Sequence, residues 1–315
     1  AVPKRVLGSA WPTVVLLVGL PLSAGLHLVT SSLHLQAAAG TGREQVFRVE
    51  SVPPFALNVF RVVVSTALLV PTVILAGQAG WRPVAPTDVP LLFASGIIAI
   101  ALSDTLFHAS LNMVGAGISS IVDCLYPPLT VLFAWTLLGE RLSGRQFLGM
   151  ALVLGGVLVA AQHAPPHGAT RRRIVLGSLL GVLAMAALAL GIVIAKPVLN
   201  HSPVLWATAA RQVGCLLVLG PIALASPRRR EILGLFRPSP SWRFMLPGAV
   251  LGSYVSLILW IAGMKYTKVG VAAILNQSSV IYILVLAALF LGEPFTRRKV
   301  VASAFALAGI LLVTL

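Results

Sequence analysis

A small number of ionisable side chains lie inside long apolar stretches of the sequence, where a charge is unusual. They are His27, His34, Arg61, Asp104, His108, Asp123, Lys196 and Arg211. A charge inside a membrane-spanning segment is costly unless it is paired or hydrated. Each of these residues is therefore a candidate for binding, ion pairing or proton transfer.

Spacing places several polar side chains on common helix faces. Asp104, His108 and Asn112 recur at every fourth residue, which puts them on one stripe of a helix. Asp123 and Tyr126 lie along one face of the next apolar stretch. These stripes are too polar to face lipid, so we expect them to line an internal cavity.

Two roles are open for the carboxylates. Asp104 and Asp123 could bind a substrate or take up and release a proton in a cavity of low dielectric constant. Alternatively, Arg61 neutralises one aspartate, and the pair only holds neighbouring helices together. Among the other cations, Lys196 could place its ammonium at the membrane surface, and Arg211 could bind an anionic group or stabilise its own helix.

The candidate site residues fall into two sets. Those expected to contact a substrate are Asp104, His108, Asn112, Asp123, Tyr126, Lys196, Tyr254, Asn276, Gln277 and Tyr282. Those expected to form ion pairs or to couple transport to protons are Arg61, Asp104, Asp123 and Arg211. For His27 and His34 we expect ordinary polar contacts near the membrane surface. No residues show metal-ligand spacing, so no metal or cofactor is expected.

The composition is that of a membrane protein. Hydrophobic residues make up 58% of the chain and charged residues 10%, whereas a soluble domain carries roughly 25% charged residues. The net charge of +15 could suggest nucleic acid, but the basic residues form short clusters between apolar stretches, such as 171–173 and 228–230. That pattern matches lipid headgroups, so nucleic-acid binding is not expected.

Ten apolar stretches are each long enough to span a membrane, which takes about 20 residues per helix. They cover residues 11–35, 54–77, 89–113, 117–138, 144–162, 174–199, 204–225, 244–265, 269–291 and 297–315. The backbone must pair internally in lipid, so each is predicted to be a helix. The fold class is therefore all-α and polytopic.

The second half of the sequence repeats the first. Leu138-Gly139-Glu140 recurs as Leu291-Gly292-Glu293, Asp123 aligns with Asn276 at the same offset of 153 residues, and Arg61 aligns with Arg211 at an offset of 150. Five spans in each half invert the second half relative to the first. We therefore predict one repeat at 1–163, a linker at 164–173 and a second repeat at 174–315.

Two local features predict how the helices join and pack. Ser143 and Thr296 follow Glu140 and Glu293 by three residues, so each should cap the next helix, with the glutamate near the positive end of that helix. Small residues recur in the fifth and tenth spans, including Gly149, Gly156, Ser303 and Gly309. They allow close approach, so these spans are expected to pack together, with a homodimer face as an alternative use.

The pattern resembles the EamA-type permeases of the drug/metabolite transporter superfamily. The residues that carry the resemblance are the two Leu-Gly-Glu turns, the segment 112–117 with its counterpart 265–270, and Tyr126-Pro127-Pro128. The resemblance implies ten helices, alternating access, and a central cavity lined by the first, third, fourth, sixth, eighth and ninth spans. It also implies cytoplasmic termini, whereas the excess of Lys and Arg in the loops on the other side predicts the opposite orientation.

These observations predict a secondary active transporter that moves a small polar metabolite, an amino acid or related compound, most simply by export across a bacterial inner membrane. Membrane lipid is the expected surrounding partner, and proton coupling is open. The alternative is a flippase for a lipid or a lipid-linked sugar. The sequence lacks a GxxxxGK[ST] loop for ATP and an HExxH or DxxxD motif, so an enzyme is not expected.

Overall fold

The computed structural model describes residues 54–160, 170–239, 242–277 and 297–314. Within these ranges the chain is helical and contains no β-strand. The predicted first span and most of the ninth span lie outside the described residues. Five residues singled out in the sequence fall there too, and they are His27, His34, Tyr282, Glu293 and Thr296.

The first half contributes five helices to the described part of the chain. They are α1 (Pro54–Leu75), α2 (Asp88–Gly96), α3 (Ser103–Asp123), α4 (Tyr126–Leu138) and α5 (Gly144–Ala160). The second half contributes α6 (Arg171–His201), α7 (Val204–Ala225), the short α8 (Arg229–Gly234), α9 (Trp242–Ala249), α10 (Ser256–Tyr266), α11 (Val269–Asn276) and α12 (Arg297–Thr314).

Six helical segments in this part of the chain are long and apolar enough to cross a membrane. They are Phe55–Leu75, Asp88–Gly115, Ile121–Leu138, Arg171–His201, Val204–Ala225 and Met245–Tyr266. Each coincides with a predicted span to within a few residues. The predicted fifth and tenth spans correspond to the shorter apolar helices Gly144–Val159 and Val300–Thr314. The helical class is therefore confirmed, while the count of ten extends beyond the described residues.

Two π-helical turns interrupt the spans at equivalent places. The first, Ile97–Leu102, joins α2 to α3, and the second, Val250–Val255, joins α9 to α10. Their positions differ by the same 153 residues that separate the repeated sequence motifs. Such turns distort a helix locally and often occur at functional sites. The sequence repeat is thus matched by a repeated distortion of the backbone.

Two boundaries of the predicted spans lie at glycines. Gly115 has φ 75° and ψ 172° inside α3, a backbone conformation that residues with a Cβ rarely adopt, and it separates the third span from the fourth. Gly139 ends α4 in the left-handed conformation, with φ 68°.

Beyond Gly139, the outcome for the predicted caps is mixed. Ser143 caps α5 as predicted, because its hydroxyl accepts from the backbone N–H of Gln146 at 3.3 Å. Glu140 was expected beside that same helix, and this was wrong. Its carboxylate accepts from the backbone N–H of Val269 at 3.0 Å and so lies at the start of α11, in the other half of the chain. The positive end of α11 provides the same stabilisation as the positive end of α5 would.

Helices at equivalent positions in the two halves pack against one another. The pairs are α1 with α7, α4 with α11, and α5 with α12. The last pair confirms the predicted packing of the fifth and tenth spans within a single chain. The backbones of α5 and α12 are close together, as shown by a Cβ added at Gly149, which would lie 2.7 Å from the carbonyl oxygen of Gly309.

The neighbouring glycines of α5 provide a matched test of this packing. A Cβ at Gly156 would lie 2.7 Å from the carbonyl oxygen of Ala302, whereas a Cβ at Gly155 would meet nothing within 4 Å. We expect Gly156→Ala to reduce the free energy of unfolding by about 1–3 kcal/mol through overpacking. We expect Gly155→Ala to leave it unchanged or raise it by up to about 1 kcal/mol, because alanine favours helix. Thermal unfolding in detergent measures both, and equal midpoints would contradict the observed approach of the helices.

Candidate functional site

A cavity of about 180 Å³, lined by both polar and apolar side chains, lies between the helices at the level of the two π-helical turns. Its polar lining residues, among those that the structure describes, are Asn58, Arg61, Ser103, Asp104, Asp123, Gln212, Ser253, Ser256 and Asn276. Apolar side chains such as Phe107, Met185, Leu188 and Trp260 complete the wall. The third, fourth, sixth, eighth and ninth spans contribute as expected. The second and seventh spans also contribute, which the family resemblance did not imply.

Arg61 binds three groups in this cavity. Its Nε–H donates to the hydroxyl of Ser253 at 2.8 Å, and its Nη2 lies 3.9 Å from a carboxylate oxygen of Asp104. Its Nη1 lies 3.3 Å from Nε2 of His108. The guanidinium therefore joins α1, α3 and the second π-helical turn. The predicted pairing of Arg61 with an aspartate is present and involves Asp104.

Two hydrogen bonds of His108 are compatible with one neutral tautomer. Nδ1 lies 2.6 Å from the carbonyl oxygen of Asp104, which can only accept, so a hydrogen on Nδ1 suits this contact. Arg61 can only donate, which suits an unprotonated Nε2. The His108 side chain is buried. It fixes the position of Arg61 beside Asp104 and is absent from the residues that line the cavity.

Asp123 has a different environment. It lies at the end of α3, and the amide of Gln277 donates to its backbone carbonyl at 3.1 Å and to its carboxylate at 3.3 Å. Among the described residues no Lys, Arg or His forms an ion pair with Asp123. Asn276, the repeat equivalent of Asp123, lines the same cavity. The contact between Gln277 and Asp123 thus joins the two halves of the chain at the cavity wall.

Three predicted substrate-contact residues lie elsewhere. Asn112 is exposed, and its backbone carbonyl accepts from Arg173 at 2.9 Å. Tyr254 shares a hydrogen bond of 2.7 Å with the hydroxyl of Thr72 and packs on a separate apolar cluster. Tyr126 is 1% exposed and belongs to the largest apolar cluster, and it is not among the cavity-lining residues.

Lys196 is not among the residues that line the cavity, and its ammonium binds backbone carbonyls. Its ammonium donates to the backbone carbonyls of Met264 at 2.6 Å, Lys265 at 3.1 Å and Thr267 at 2.7 Å, which are free at the end of α10. In return, the ammonium of Lys265 donates to the carbonyl of Ser202, just beyond α6, at 2.6 Å. The two lysines therefore cap each other's helices, where positive charge is favourable.

Arg211 is completely buried in α7 and mirrors Arg61. Its Nε–H donates to the hydroxyl of Ser95 at 2.8 Å, and Ser95 donates to the carbonyl of Gly191 at 2.5 Å. A Cβ at Gly96 would overlap the carbonyl oxygen of Arg211, so α2 and α7 are in close contact here. Each of the two equivalent arginines thus binds, through Nε, a serine beside or within the π-helical turn of the other half.

The sequence analysis overlooked Asn58, Gln212 and Ser253. Asn58 donates to the carbonyl of Ile100 and to the hydroxyl of Thr105, both at 3.1 Å. The amide of Gln212 donates to the hydroxyl of Ser65 at 2.5 Å. These residues carry no charge, and they were overlooked because the search was for ionisable side chains. Each is nevertheless a polar residue within an apolar stretch, which is the signal that could have identified them.

A bundle of long apolar helices around a small polar cavity defines a helical membrane transporter. The chain belongs to the EamA-like transporter family, which it matches over residues 36–162 and again over residues 175–315. The resemblance drawn from the Leu-Gly-Glu turns is therefore confirmed.

Two bacterial proteins are similar to this chain in sequence, and one crystal structure is similar to it in fold. The uncharacterized transporter YetK of Bacillus subtilis strain 168 is 22% identical over 271 residues, covering 83% of this chain and 78% of YetK. The permease-like protein YdzE of the same organism is 31% identical over 64 residues, covering 20% of this chain and 82% of YdzE. One protein crystal structure superposes with a TM-score of 0.70 at 20% identity, covering 94% of this chain and 95% of that one. That similarity shows the fold.

The capping role of Lys196 can be tested against Lys268, which donates to the carbonyl of Arg141 at 3.0 Å on the surface. We expect Lys196→Met to lower the free energy of unfolding by about 1–3 kcal/mol, because one buried and two partly buried hydrogen bonds to backbone carbonyls are lost. We expect Lys268→Met to change it by less than about 0.5 kcal/mol. Thermal unfolding in detergent measures both changes. A Lys196→Met variant as stable as the parent would show that the carbonyls do not depend on this ammonium.

The pairing of Arg61 with Asp104 makes a second prediction. We expect Arg61→Leu to destabilise the protein by about 1–3 kcal/mol, since the carboxylate of Asp104 then lacks its partner in a partly buried site. The double variant Arg61→Leu/Asp104→Asn removes that charge and should recover part of the loss. Thermal unfolding midpoints of the two variants, measured in detergent, show whether the charges of Arg61 and Asp104 are coupled. If the double variant is no more stable than the single one, the two charges are not coupled.

Proposed function

We propose that this protein is a secondary active transporter that moves a small polar metabolite, an amino acid or related compound, by alternating access. The observation that carries the proposal is the polar cavity, in which Asp104, Asp123 and Asn276 from both halves of the chain meet. A carboxylate and an amide at one cavity wall are suited to a ligand that presents hydrogen-bond donors. Export across a bacterial inner membrane is the proposed direction and location.

The lining of the cavity favours a polar substrate over acyl chains, because Arg61, Asp104 and Asp123 face it. A lipid or lipid-linked sugar is the alternative, and its transport is one of the outcomes of the test below.

The two aspartates differ in what they can contribute. Asp104 is held beside Arg61, so it is suited to binding or orienting a charged partner. Asp123 has an amide neighbour, Gln277, and is therefore the better candidate for gaining and losing a proton when substrate binds. Proton coupling through Asp123 is part of the proposal. No cofactor, ATP or enzymatic step is part of it.

Alternating access requires two halves that can move against each other around the cavity. The proposed repeats are residues 1–163 and 174–315, joined by the linker 164–173. The family matches at 36–162 and 175–315 support this division. The π-helical turns at Ile97–Leu102 and Val250–Val255 are proposed as the hinges, because each lies beside the cavity and an arginine of the opposite half binds a serine next to the first turn or within the second.

The proposed role of Asp123 is tested by transport. Proteoliposomes with the purified chain are loaded with amino acids, nucleotide sugars, phosphorylated metabolites and polyamines, and release is followed by mass spectrometry. We expect Asp123→Asn to reduce release of the transported compound at least about tenfold, because the amide cannot exchange a proton or pair with a cation. Thermal unfolding has to confirm that the variant is folded.

Glu231→Gln in α8 is the matched control, since Glu231 is exposed and lies outside the cavity. It should transport at the parent rate. If Asp123→Asn is folded and fully active, Asp123 has no role in the site. If no soluble compound is released but labelled lipids cross the bilayer, the flippase alternative replaces the proposal.

A further inference from the structure

Buried polar groups without partners occur at several places in the described part of the chain, including the hydroxyls of Ser110, Ser119 and Ser202, and four of the donor atoms belong to Arg211, Trp260 and Tyr126. Among the described residues, Nη1 and Nη2 of Arg211, Nε1 of Trp260 and the hydroxyl of Tyr126 are buried and make no hydrogen bond of ordinary geometry. The hydroxyl of Thr130 donates to the Tyr126 backbone carbonyl at 2.8 Å and can still accept from the Tyr126 phenol, so the two terminal nitrogens of Arg211 are the donors on which the inference depends. A buried donor without an acceptor is unfavourable, and for a charged group the penalty is larger. Such a cluster therefore points to a group that binds there.

Arg211 is the centre of this cluster. Its side chain is 0% exposed, and its Cζ lies 5.8 Å from the centroid of the Trp260 ring. The phenol of Tyr126 and the carboxylate of Asp104 are both close enough to interact with it electrostatically, although Asp104 is not within ion-pairing distance. Trp260 packs against the apolar cluster that contains Tyr126 and also lines the cavity. The guanidinium is therefore separated from the cavity by a single side chain.

Comparison with Arg61, the equivalent arginine of the first half, shows what is unusual about the contacts of Arg211. Arg61 uses its terminal nitrogens for His108 and Asp104. Arg211 makes the same kind of Nε contact, to Ser95, but among the described residues no carboxylate lies within ion-pairing distance of it. Its two terminal nitrogens form a planar fork that matches the two oxygens of a carboxylate. The ring contact with Trp260 stabilises the cation without supplying an acceptor.

We propose that Arg211, Tyr126 and Trp260 form an anion subsite that binds the carboxylate of the transported compound. The carboxylate accepts from Nη1 and Nη2 of Arg211 and from the hydroxyl of Tyr126, after the Trp260 ring turns away from the guanidinium. Asp104 and Asp123 then receive the donor groups of the same molecule. The substrate class is a small compound with a carboxylate at one end and hydrogen-bond donors at the other. This inference rests on the proposed transport function and adds the chemical group that the site recognises.

The test compares each carboxylate with its uncharged primary amide, which has nearly the same shape. Acetate, succinate, leucine and glutamine are paired with acetamide, succinamide, leucinamide and glutamine amide. Binding to the purified full chain is measured as a shift of the thermal unfolding midpoint, since a ligand that binds only the folded state raises it. Inorganic phosphate serves as a tetrahedral anion for comparison. Transport of the same pairs is measured in proteoliposomes.

Two variants address the subsite and one is a control. Arg211→Lys keeps the charge but removes the planar fork of donors. Tyr126→Phe removes only the hydroxyl and keeps the packing, so it still tests the subsite if Arg211→Lys does not fold. Each should weaken carboxylate binding at least about tenfold, as expected for the loss of a hydrogen bond to a charged group. Cys215→Ala, one helical turn from Arg211 and buried, should change binding less than about twofold.

The outcomes separate this inference from the proposed function. Binding of carboxylates but not amides, weakened in both variants, supports the subsite. Equal binding of carboxylates and amides, stabilisation by phosphate alone, or folded variants that bind carboxylates as the parent does would overturn it. Transport of amides in the parent would then leave the transporter proposal intact. A parent that neither binds nor transports any compound of the panel contradicts both.

Discussion

The structure depends on satisfying charged groups inside an apolar bundle. Lys196 and Lys265 do so by capping the ends of each other's helices, and Arg61 does so by binding Ser253, His108 and Asp104. Each arrangement joins elements that are far apart in the sequence. Because a charge without a partner is so costly in this environment, the lysine pair fixes α6 against α10 within the second half, and Arg61 fixes α1 and α3 of the first half against the second π-helical turn.

Close packing of backbones makes those contacts geometrically possible. Gly96 brings α2 against the backbone of Arg211, and Gly191 of α6 lies against Ala99 in the first π-helical turn. Ser95 can therefore bind both the guanidinium of Arg211 and the carbonyl of Gly191. The small residues do no chemistry themselves, but they place the polar side chains within hydrogen-bonding distance. The same local distortion of the backbone occurs in the other half, beside Ser253.

The two halves of the chain contribute different side chains to the cavity. The two halves place arginines at equivalent positions, but the first half supplies both aspartates and the second half supplies Gln212, Asn276 and Gln277. Arg61 is consequently neutralised by Asp104, whereas Arg211 is held by a serine and an aromatic ring. A single scaffold can in this way offer acceptors and donors to different ends of one ligand.

The sequence by itself determined the helical class, the positions of the described spans, the repeat offset and the family, because hydropathy and repetition are local properties of the chain. It also identified the pairing of Arg61 with an aspartate and the placement of Asp104, Asp123 and Asn276 in one cavity. Only the tertiary structure decided that Glu140 caps α11, that Lys196 caps α10 and that Gln277 holds Asp123. Those partners are more than sixty residues apart, and spacing along one helix cannot show which distant backbone group a side chain will reach. For the same reason the structure, and not the sequence, placed Asn112 and Tyr254 outside the cavity.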